Sequence, residues 1–383
     1  MNRNIFAKVV AISCVVLAVA AVLFYGFYRE REDKNSVASI KPYAQTAVVL
    51  SDYIDFQKSI YIGHKSEREL LYKNYADNYI RSVDITTREQ KEIIQLDTPT
   101  NGTMTTFDYD DNWFVWSESQ DAELRVGSSI GKNWAVYAAN LNTGEILSVD
   151  GENDLFPETR NFDPHPWTIS LKGSFIVYAS YTASEEGIYP AIKLYDLNNR
   201  KLEIVDVADS MQTTYGAPSV NGKNVVYLKS DSSGSFLLLY EIAKHKSTCI
   251  EPPDPLQEVC ITDSYIAGVS EWQPEKSEAI YCYDLAHKKW SKQLDGSIGL
   301  YHSVDGTLEF AELQSSGDFL TWRPTTGNVL YVWDITNNKV LDLSESVSGQ
   351  IDYVLYPFDN DYLVWCETDP QTQKTEYFCV TIS

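Results

Sequence analysis

The sequence has few of the residues from which metal and catalytic sites are usually built. Its 383 residues include five histidines, six cysteines and three methionines. No Cys-x-x-Cys, His-Glu-x-x-His, phosphate-binding loop or EF-hand pattern occurs. Because zinc sites need closely spaced Cys or His ligands, we predict no metal site and no cofactor, and we expect a protein that is not an enzyme.

Basic residues are scarce relative to acidic ones. The chain has 31 lysines and arginines against 54 aspartates and glutamates, a formal net charge of −23 at pH 7. A nucleic-acid backbone and an anionic membrane surface are both negative, so we predict that the chain as a whole is repelled by both. Nucleic acid is therefore excluded as a partner.

One stretch of the chain lacks charge over the length of a membrane-spanning helix. Residues 9–28 (VVAISCVVLAVAAVLFYGFY) carry no charge, and a helix of that length spans about 30 Å, the thickness of a hydrocarbon core. Arg3 and Lys8 precede it. We therefore predict a single-pass signal anchor within residues 1–28, a cytoplasmic N-terminus, and an extracytoplasmic remainder at the cell membrane. Two alternatives stay open: a cleaved signal peptide, and lipidation at Cys14.

After a polar linker predicted over residues 29–42, the composition favours β-structure. Aromatic residues make up 13% of the chain, and such residues favour strands. A strand, a tight polar turn and a second strand recur clearly as residues 192–201 (IKLYDLNNRK), 280–289 (IYCYDLAHKK) and 330–339 (LYVWDITNNK). The turns of the clear and weaker copies open with an acid or amide at intervals of 56, 56, 45, 43 and 50 residues: Asp84, Asn140, Asp196, Glu241, Asp284 and Asp334.

A second segment, a polar turn and then an apolar strand ending in Tyr or Trp, precedes most of these copies. Together the segments make units of about four strands in roughly 50 residues, which is typical of propeller blades. We predict an all-β propeller over residues 43–383, with seven blades favoured and six as the alternative; a sandwich fits the regular spacing less well. The last unit stops after three strands, and residues 45–50 are predicted to supply its fourth and close the ring.

Residues 165–178 (HPWTISLKGSFIVY) and 217–227 (APSVNGKNVVY) resemble the repeat of TolB-like propellers, with a proline, a Gly-containing turn and an apolar strand. Trp333-Asp334 also occupies the place of the dipeptide that names WD-repeat propellers. The resemblance covers residues 45–383 approximately. It implies extracytoplasmic binding or scaffolding and brings no catalytic residues with it.

Two groups of residues leave alternatives open. Cys366 and Cys379 lie on the two strands of one predicted hairpin, where they form either a disulfide or two buried free thiols. The acids at 108–111 and 359–361 are either calcium ligands or, as we favour, turn-stabilising residues.

The longer connections between strands are predicted to emerge on one face of the propeller, over residues 118–132, 151–167, 181–190, 206–217 and 270–279. Irregular loops on a rigid scaffold are the usual place for binding, and aromatic side chains beside acids suit sugars, peptides or cationic groups. The candidate ligand-binding residues on or near these loops are Asp163, His165, Trp167, Tyr181, Glu185, Glu186, Tyr189, Tyr215, Trp272, His302 and Arg323.

Two classes of function follow from these observations. The first is a membrane-anchored binding or scaffold module for an envelope protein, peptide or glycan. The second is a propeller-type glycoside hydrolase or lyase acting on cell-envelope glycans. The second needs paired carboxylates in the mouth of the propeller, whereas a mouth lined by Trp and Tyr favours the first.

Overall fold

The computed structural model describes residues 39–43, 47–98, 102–110, 112–119, 134–152, 166–184, 187–271, 279–295, 313–322, 330–348, 350–354, 362–369, 371–372 and 374–382. Within this part of the chain no helix is both long and apolar enough to span a bilayer. The anchor predicted over residues 9–28 lies outside the described residues.

The described chain forms seven small antiparallel sheets, which are the blades of a propeller. Two short strands come first: β1 (Ser39–Pro42) and β2 (Val48–Val49). Blade one contains β3 (Ser59–Ser66), β4 (Glu69–Asn74), β5 (Tyr79–Asp84) and β6 (Gln90–Gln95). Blade two contains β7 (Thr103–Asp110), β8 (Trp113–Ser119), β9 (Ala135–Asn140) and β10 (Ile146–Gly151). Blade three contains β11 (Ile169–Lys172), β12 (Phe175–Ser184), β13 (Gly187–Asp196) and β14 (Lys201–Val207).

The remaining four blades follow the same order, from an inner to an outer strand. Blade four has a divided inner strand, β15 (Thr214–Tyr215) and β16 (Ser219–Val220), then β17 (Asn224–Asp231), β18 (Gly234–Glu241) and β19 (Lys246–Ile250). Blade five contains β20 (Leu256–Ile261), β21 (Tyr265–Ser270), β22 (Ala279–Asp284) and β23 (Lys289–Asp295). Blade six contains β24 (Gln314–Ser316), β25 (Phe319–Thr321), β26 (Tyr331–Asp334) and β27 (Lys339–Asp342). Blade seven contains β28 (Gln350–Val354), β29 (Tyr362–Thr368) and β30 (Thr375–Thr381).

The ring closes between the two ends of the chain, as predicted. Strand β2 pairs antiparallel with β30, placing Val48 opposite Cys379 and Val49 opposite Phe378, and so becomes the outer strand of blade seven. The backbone N–H of Tyr377 also donates to Ser51 Oγ (2.9 Å). Contacts between residues more than 300 positions apart therefore hold the last blade to the first segment.

The last residues of the predicted linker form a strand. Residues 39–42 form β1, which pairs in parallel with β27 and adds a fifth strand to blade six. The backbone N–H of Tyr43 continues this contact to the carbonyl of Asp342 (2.8 Å). Pairing with the edge of a blade 300 positions away in the sequence has no local sequence signature.

The recurring acid or amide stabilises the turn between the outer two strands of a blade. Asp196 Oδ1 accepts the backbone N–H groups of Asn198 (2.9 Å) and Asn199 (3.1 Å), and Asp84 makes the same pair of bonds one repeat earlier. The residue four positions after the acid or amide has positive φ in each of six turns: Arg88, Gly144, Arg200, His245, Lys288 and Asn338. Five of the six turns therefore share one geometry, a carboxylate or amide cap followed by a left-handed residue. In the turn of blade four Glu241 makes no capping bond, although the left-handed residue is kept.

The hydrophobic core is divided among the gaps between blades. Seven clusters of buried residues each join two neighbouring blades, and the seventh joins blade seven to blade one. The aromatic residue that ends the second recurring segment is buried in these gaps: Tyr72, Trp116, Tyr178, Tyr227, Trp322 and Trp365. In blade five Gly268 takes this place, and the side chain of Leu256 fills the space. A single four-stranded sheet has two apolar faces to bury, and only the closed ring covers both.

Two faces of the ring can now be defined. The turn face carries the hairpins that join the first strand of a blade to the second and the third to the fourth. The loop face carries the connections between the second and third strands and between successive blades. The five predicted binding segments all belong to the loop face, although residues 181–190 belong mostly to β12 and β13, with Tyr181 opposite Pro190. That segment is a long hairpin rather than a loop.

Candidate functional site

The inner strands of the blades surround a channel with a volume of about 670 Å³. Its wall is formed by β7, β11, β16, β20 and β24, together with Ile60 of β3. It runs from Thr103 and Trp167 at the loop face to Lys172 and Asn221 at the turn face. A cavity of this size is within the range of small-molecule and peptide-end sites.

Polar side chains on four of the inner strands, β7, β11, β16 and β20, bind the backbone of the next blade. Asp108 Oδ2 accepts the N–H of Leu171 (2.7 Å), and Glu258 Oε1 accepts the N–H of Leu313 (2.7 Å). Asp110 accepts the N–H of Gly173. Hydroxyl groups do the same elsewhere: Ser170 Oγ accepts from Val220 (3.2 Å), and Ser219 Oγ accepts from Ile261 (3.2 Å). The inner strands have free backbone donors on the channel side, and these bonds satisfy them.

Asp108 is the carboxylate whose ionisation the channel perturbs most. Burial raises the pKa of Asp108 to about 7, and the nearby Asp110 carboxylate contributes to the increase. The backbone donors of Leu171 and Tyr109 oppose it. Since this pKa lies above the value of 3.8 in an unfolded chain, the folded protein binds the proton more tightly. Stability from this group is therefore present at low pH and is lost as the pH rises from about 4 through 7.

We expect the variant Asp108→Asn to gain stability relative to the wild type between pH 5 and pH 8. The wild type must ionise a half-buried carboxyl group over this interval and the variant does not. The unfolding free energy of the variant minus that of the wild type should increase by up to about 3 kcal/mol between pH 5 and pH 8, as measured by urea unfolding at each pH. Asp84→Asn is the control, because bonds from Thr87 and Thr86 hold the pKa of Asp84 below its usual value. A constant difference for Asp108→Asn over this range would contradict the assignment.

Two exposed aromatic side chains lie at the loop-face mouth of the channel. Trp167 is 58% exposed and Tyr75 is 64% exposed, and both line the cavity. Beside them, Lys73 Nζ donates to the carbonyls of Asn74 (3.0 Å) and Asp77 (2.8 Å), and burial lowers the pKa of Lys73. Large exposed aromatic groups that are free of the core are the usual anchors of recognition surfaces.

Of the predicted ligand-binding residues, Trp167 is the one that the structure places at this mouth. Tyr215 is 9% exposed and belongs to the core between blades three and four, and Tyr181 packs against the core between blades two and three. Tyr189 lies on β13 next to Gly187. Tyr181 is paired with Pro190, so Tyr189, one position earlier, points to the opposite side of the hairpin. For these three tyrosines, packing is what the structure shows. Seven further candidates lie outside the described residues: Asp163, His165, Glu185, Glu186, Trp272, His302 and Arg323.

Tyr75 was missed by the sequence analysis. It lies in the short connection between β4 and β5, whereas the predictions considered only long connections. A tyrosine between two predicted strands, within the series Tyr72, Tyr75 and Tyr79, was the available signal.

Most cysteines of the described residues, and one of their histidines, His64, are buried in the core. Cys366 and Cys379 are buried free thiols, paired across the hairpin with Tyr377 and Val364 instead of with each other. His64 is buried between blades one and seven, where it stacks on Tyr362 (ring centroids 3.8 Å apart) and where burial lowers its pKa to about 3. His245 and His287 are exposed in turns.

No cluster of three or more His, Cys, Asp or Glu side chains suited to a metal ion exists among the described residues. Asp108 and Asp110, considered above as calcium ligands, instead accept backbone N–H groups of blade three. The remaining acids of those two groups, Asp111, Asp359 and Asp361, lie outside the described residues.

Residues 127–131 (GSSIG) have the Gly-x-Ser-x-Gly spacing of a hydrolase nucleophile elbow. They lie outside the described residues, between β8 and β9. A nucleophile elbow joins a strand to a helix at the top of a parallel sheet. Here the flanking strands are antiparallel neighbours in one blade, so the surrounding topology differs from that of the hydrolases.

Comparison with known proteins supports the fold. The sequence matches no protein-family profile and no curated protein sequence. Among solved structures, dipeptidyl peptidase 4 of Porphyromonas gingivalis aligns with a TM-score of 0.56 at 10% identity, over 88% of this chain and 54% of that one. An uncharacterised protein of Listeria monocytogenes aligns with a TM-score of 0.55 at 13% identity, over 84% of this chain and 94% of that one.

TolB of Acinetobacter baumannii also aligns, with a TM-score of 0.42 at 13% identity. The alignment covers 76% of this chain and 64% of TolB, so the chain spans less than two thirds of that protein. At these identities the likeness is one of fold. The chain is a seven-bladed β-propeller whose structural neighbours include TolB.

Proposed function

We propose that this chain is a binding or scaffold propeller, held at the outer side of the cell membrane by residues 9–28. It takes an envelope protein, peptide or glycan at the loop-face mouth of its channel. The observation that carries the proposal is the pair of exposed aromatic side chains, Trp167 and Tyr75, at the loop-face mouth of the channel.

The carboxylates of the channel wall support binding over catalysis. Asp108, Asp110 and Glu258 each accept a backbone N–H from the following blade. A glycosidase instead needs two carboxyl groups that face the substrate, one to donate a proton and one to act as base or nucleophile. Three of the channel carboxylates are thus occupied in holding the ring together, while the aromatic surfaces remain available to a partner.

The proposal is tested by site-specific photo-crosslinking in the native host. The full chain would carry p-benzoylphenylalanine at position 167, at position 75, or at position 204. Ile204 is the matched control, because it is 45% exposed but lies on β14, the outer strand of blade three. We expect a crosslinked product from positions 167 and 75 and none from position 204, seen as a higher-mass band that mass spectrometry identifies.

Equal crosslinking from all three positions would contradict a specific mouth site. Trp167→Ala should then weaken capture of the identified partner by at least about tenfold, the effect expected of an aromatic anchor residue. Release of products from a panel of envelope glycans by the purified chain would instead favour the enzyme.

A further inference from the structure

Three neighbouring turns on the turn face carry an excess of positive charge. The outer turns of blades three, four and five, residues 196–201, 241–246 and 284–289, contain six basic residues and three acidic ones. We call these three turns the basic sector. In the whole chain acids outnumber bases by 54 to 31, so the sector reverses the balance of the molecule. Its basic side chains are all exposed: Arg200, Lys201, Lys244, Lys246, Lys288 and Lys289.

The acids of the sector are engaged in local structure. Asp196 and Asp284 accept backbone N–H groups within their own turns, from Asn198 and from His287. Lys244 bonds Glu241 and holds its pKa below the usual value, with smaller contributions from Lys288 and Lys246. Blades four and five share one core gap, so their outer turns are neighbours. Arg200 pairs with Glu145 (2.6 Å) and Lys244 pairs with Glu241 (2.5 Å). The remaining exposed basic surface of the sector consists of Lys201, Lys246, Lys288 and Lys289.

The N-terminal segment leaves the propeller on this same face. Because β1 is parallel to β27 and Ser39 lies beside Lys339, residue 39 is at the end of blade six that follows the turn from Asp334. That turn adjoins blade five, since Lys292 of β23 donates to the carbonyl of Thr336 (2.9 Å). The chain therefore enters next to the basic sector.

The length of chain outside the ring limits the distance to the bilayer. Ten residues, 29–38, separate the predicted anchor from β1. A fully extended chain of that length reaches at most about 36 Å. The turn face, where β1 begins, is therefore within reach of the bilayer.

We propose that the basic sector docks on the anionic phospholipid headgroups of the membrane that holds the anchor. This inference rests on the anchoring in the proposed function. It orients the propeller, with the turn face against the bilayer and the mouth with Trp167 opening away from it. Each lysine or arginine near an anionic surface strengthens binding of the protein to the membrane by about fivefold.

The net charge of the chain does not oppose this contact. At physiological salt, charges more than about 8 Å apart are largely screened, so the bilayer interacts with the nearest side chains and not with the whole molecule. The repulsion between the acidic chain and an anionic membrane therefore does not apply at the basic sector, where the nearest side chains are positive.

The native cysteines provide a label for the test. Cys249, on β19 three residues after Lys246, is exposed, whereas Cys260, Cys282, Cys366 and Cys379 are buried. In the full chain with Cys14→Ser, a maleimide donor dye at Cys249 would be paired with an acceptor dye on lipid headgroups. The protein would be reconstituted in phosphatidylcholine vesicles with and without phosphatidylglycerol at about a third of the lipid.

We expect energy transfer at least twofold higher with phosphatidylglycerol, and loss of most of this increase with Lys246→Glu/Lys288→Glu or high salt. The control Lys58→Glu/Lys374→Glu makes the same charge change on the loop face, where these side chains are 79% and 70% exposed, and should keep the increase. Equal transfer in both vesicles, or an equal loss in the control, would overturn docking.

Flotation of the same samples separates the two proposals. A chain that fails to float with pure phosphatidylcholine vesicles has no anchor, and the proposed anchoring is then wrong. Docking can still be tested without an anchor. If the chain floats with phosphatidylglycerol vesicles and the Lys246→Glu/Lys288→Glu variant does not, docking is supported. If the chain does not float with them, docking is refuted.

Discussion

Deletion of residues 1–50 is expected to destabilise the entire ring, because it removes the strand that completes blade seven. Without β2, the outer edge of β30 is unpaired and the gap between blades seven and one loses Leu50, which is fully buried there. We expect the midpoint of thermal unfolding, followed by circular dichroism, to fall by at least about 10 °C. Deletion of residues 1–36 keeps β1 and β2 and should leave the midpoint unchanged.

A point substitution separates the closure from the length of the deletion. Leu50→Ala should lower the unfolding free energy by about 2–5 kcal/mol, the usual effect of truncating a buried leucine. Val48→Ala, on the same strand but 37% exposed, should cost less than about 1 kcal/mol. If Leu50→Ala matched Val48→Ala, the seventh gap would contribute little and the ring would owe its stability to the other six.

The parts of this fold that could be predicted from sequence are those with a local cause. A carboxylate or amide cap four residues before a left-handed residue recurs in five blades, and a buried aromatic residue at the end of a strand recurs in six. Both features leave a pattern within a few positions. The last blade has three strands of its own, and the apolar segment near residue 48 is a strand without a blade. Together these two facts predicted the closure of the ring.

The parts that could not be predicted depend on contacts between distant residues. Asp108 and Leu171 lie 63 positions apart, and nothing near either shows that they bond. The pairing of β1 with β27 joins residues 300 positions apart in the same way. At the candidate site, loop length was a poor guide: Tyr75 lies in a short connection at the mouth, while Tyr215 lies in a long one and is buried.

Lys193→Met is expected to have the second largest effect on stability. Lys193 Nζ lies 2.7 Å from Asp150 Oδ2 in the gap between blades two and three, where the side chains are 6% and 12% exposed. Tyr178 donates to the same carboxylate oxygen (2.9 Å). Removing the ammonium group leaves a buried carboxylate with a hydroxyl partner but no counter-charge. This should lower the unfolding free energy by about 3–5 kcal/mol, measured by urea denaturation.

The next gap supplies a matched control for this pair. Lys229 Nζ lies 3.1 Å from Asp206 Oδ1, and Tyr227 donates to Asp206 (3.3 Å), so the same three residue types meet between blades three and four. These two charged side chains are 19% and 20% exposed, and water reaches the carboxylate. Lys229→Met should therefore cost less than Lys193→Met, and the double variant Lys193→Met/Asp150→Leu should recover most of the loss, because no unpaired charge remains. Equal costs at the two gaps would show that burial of the pair does not determine its contribution.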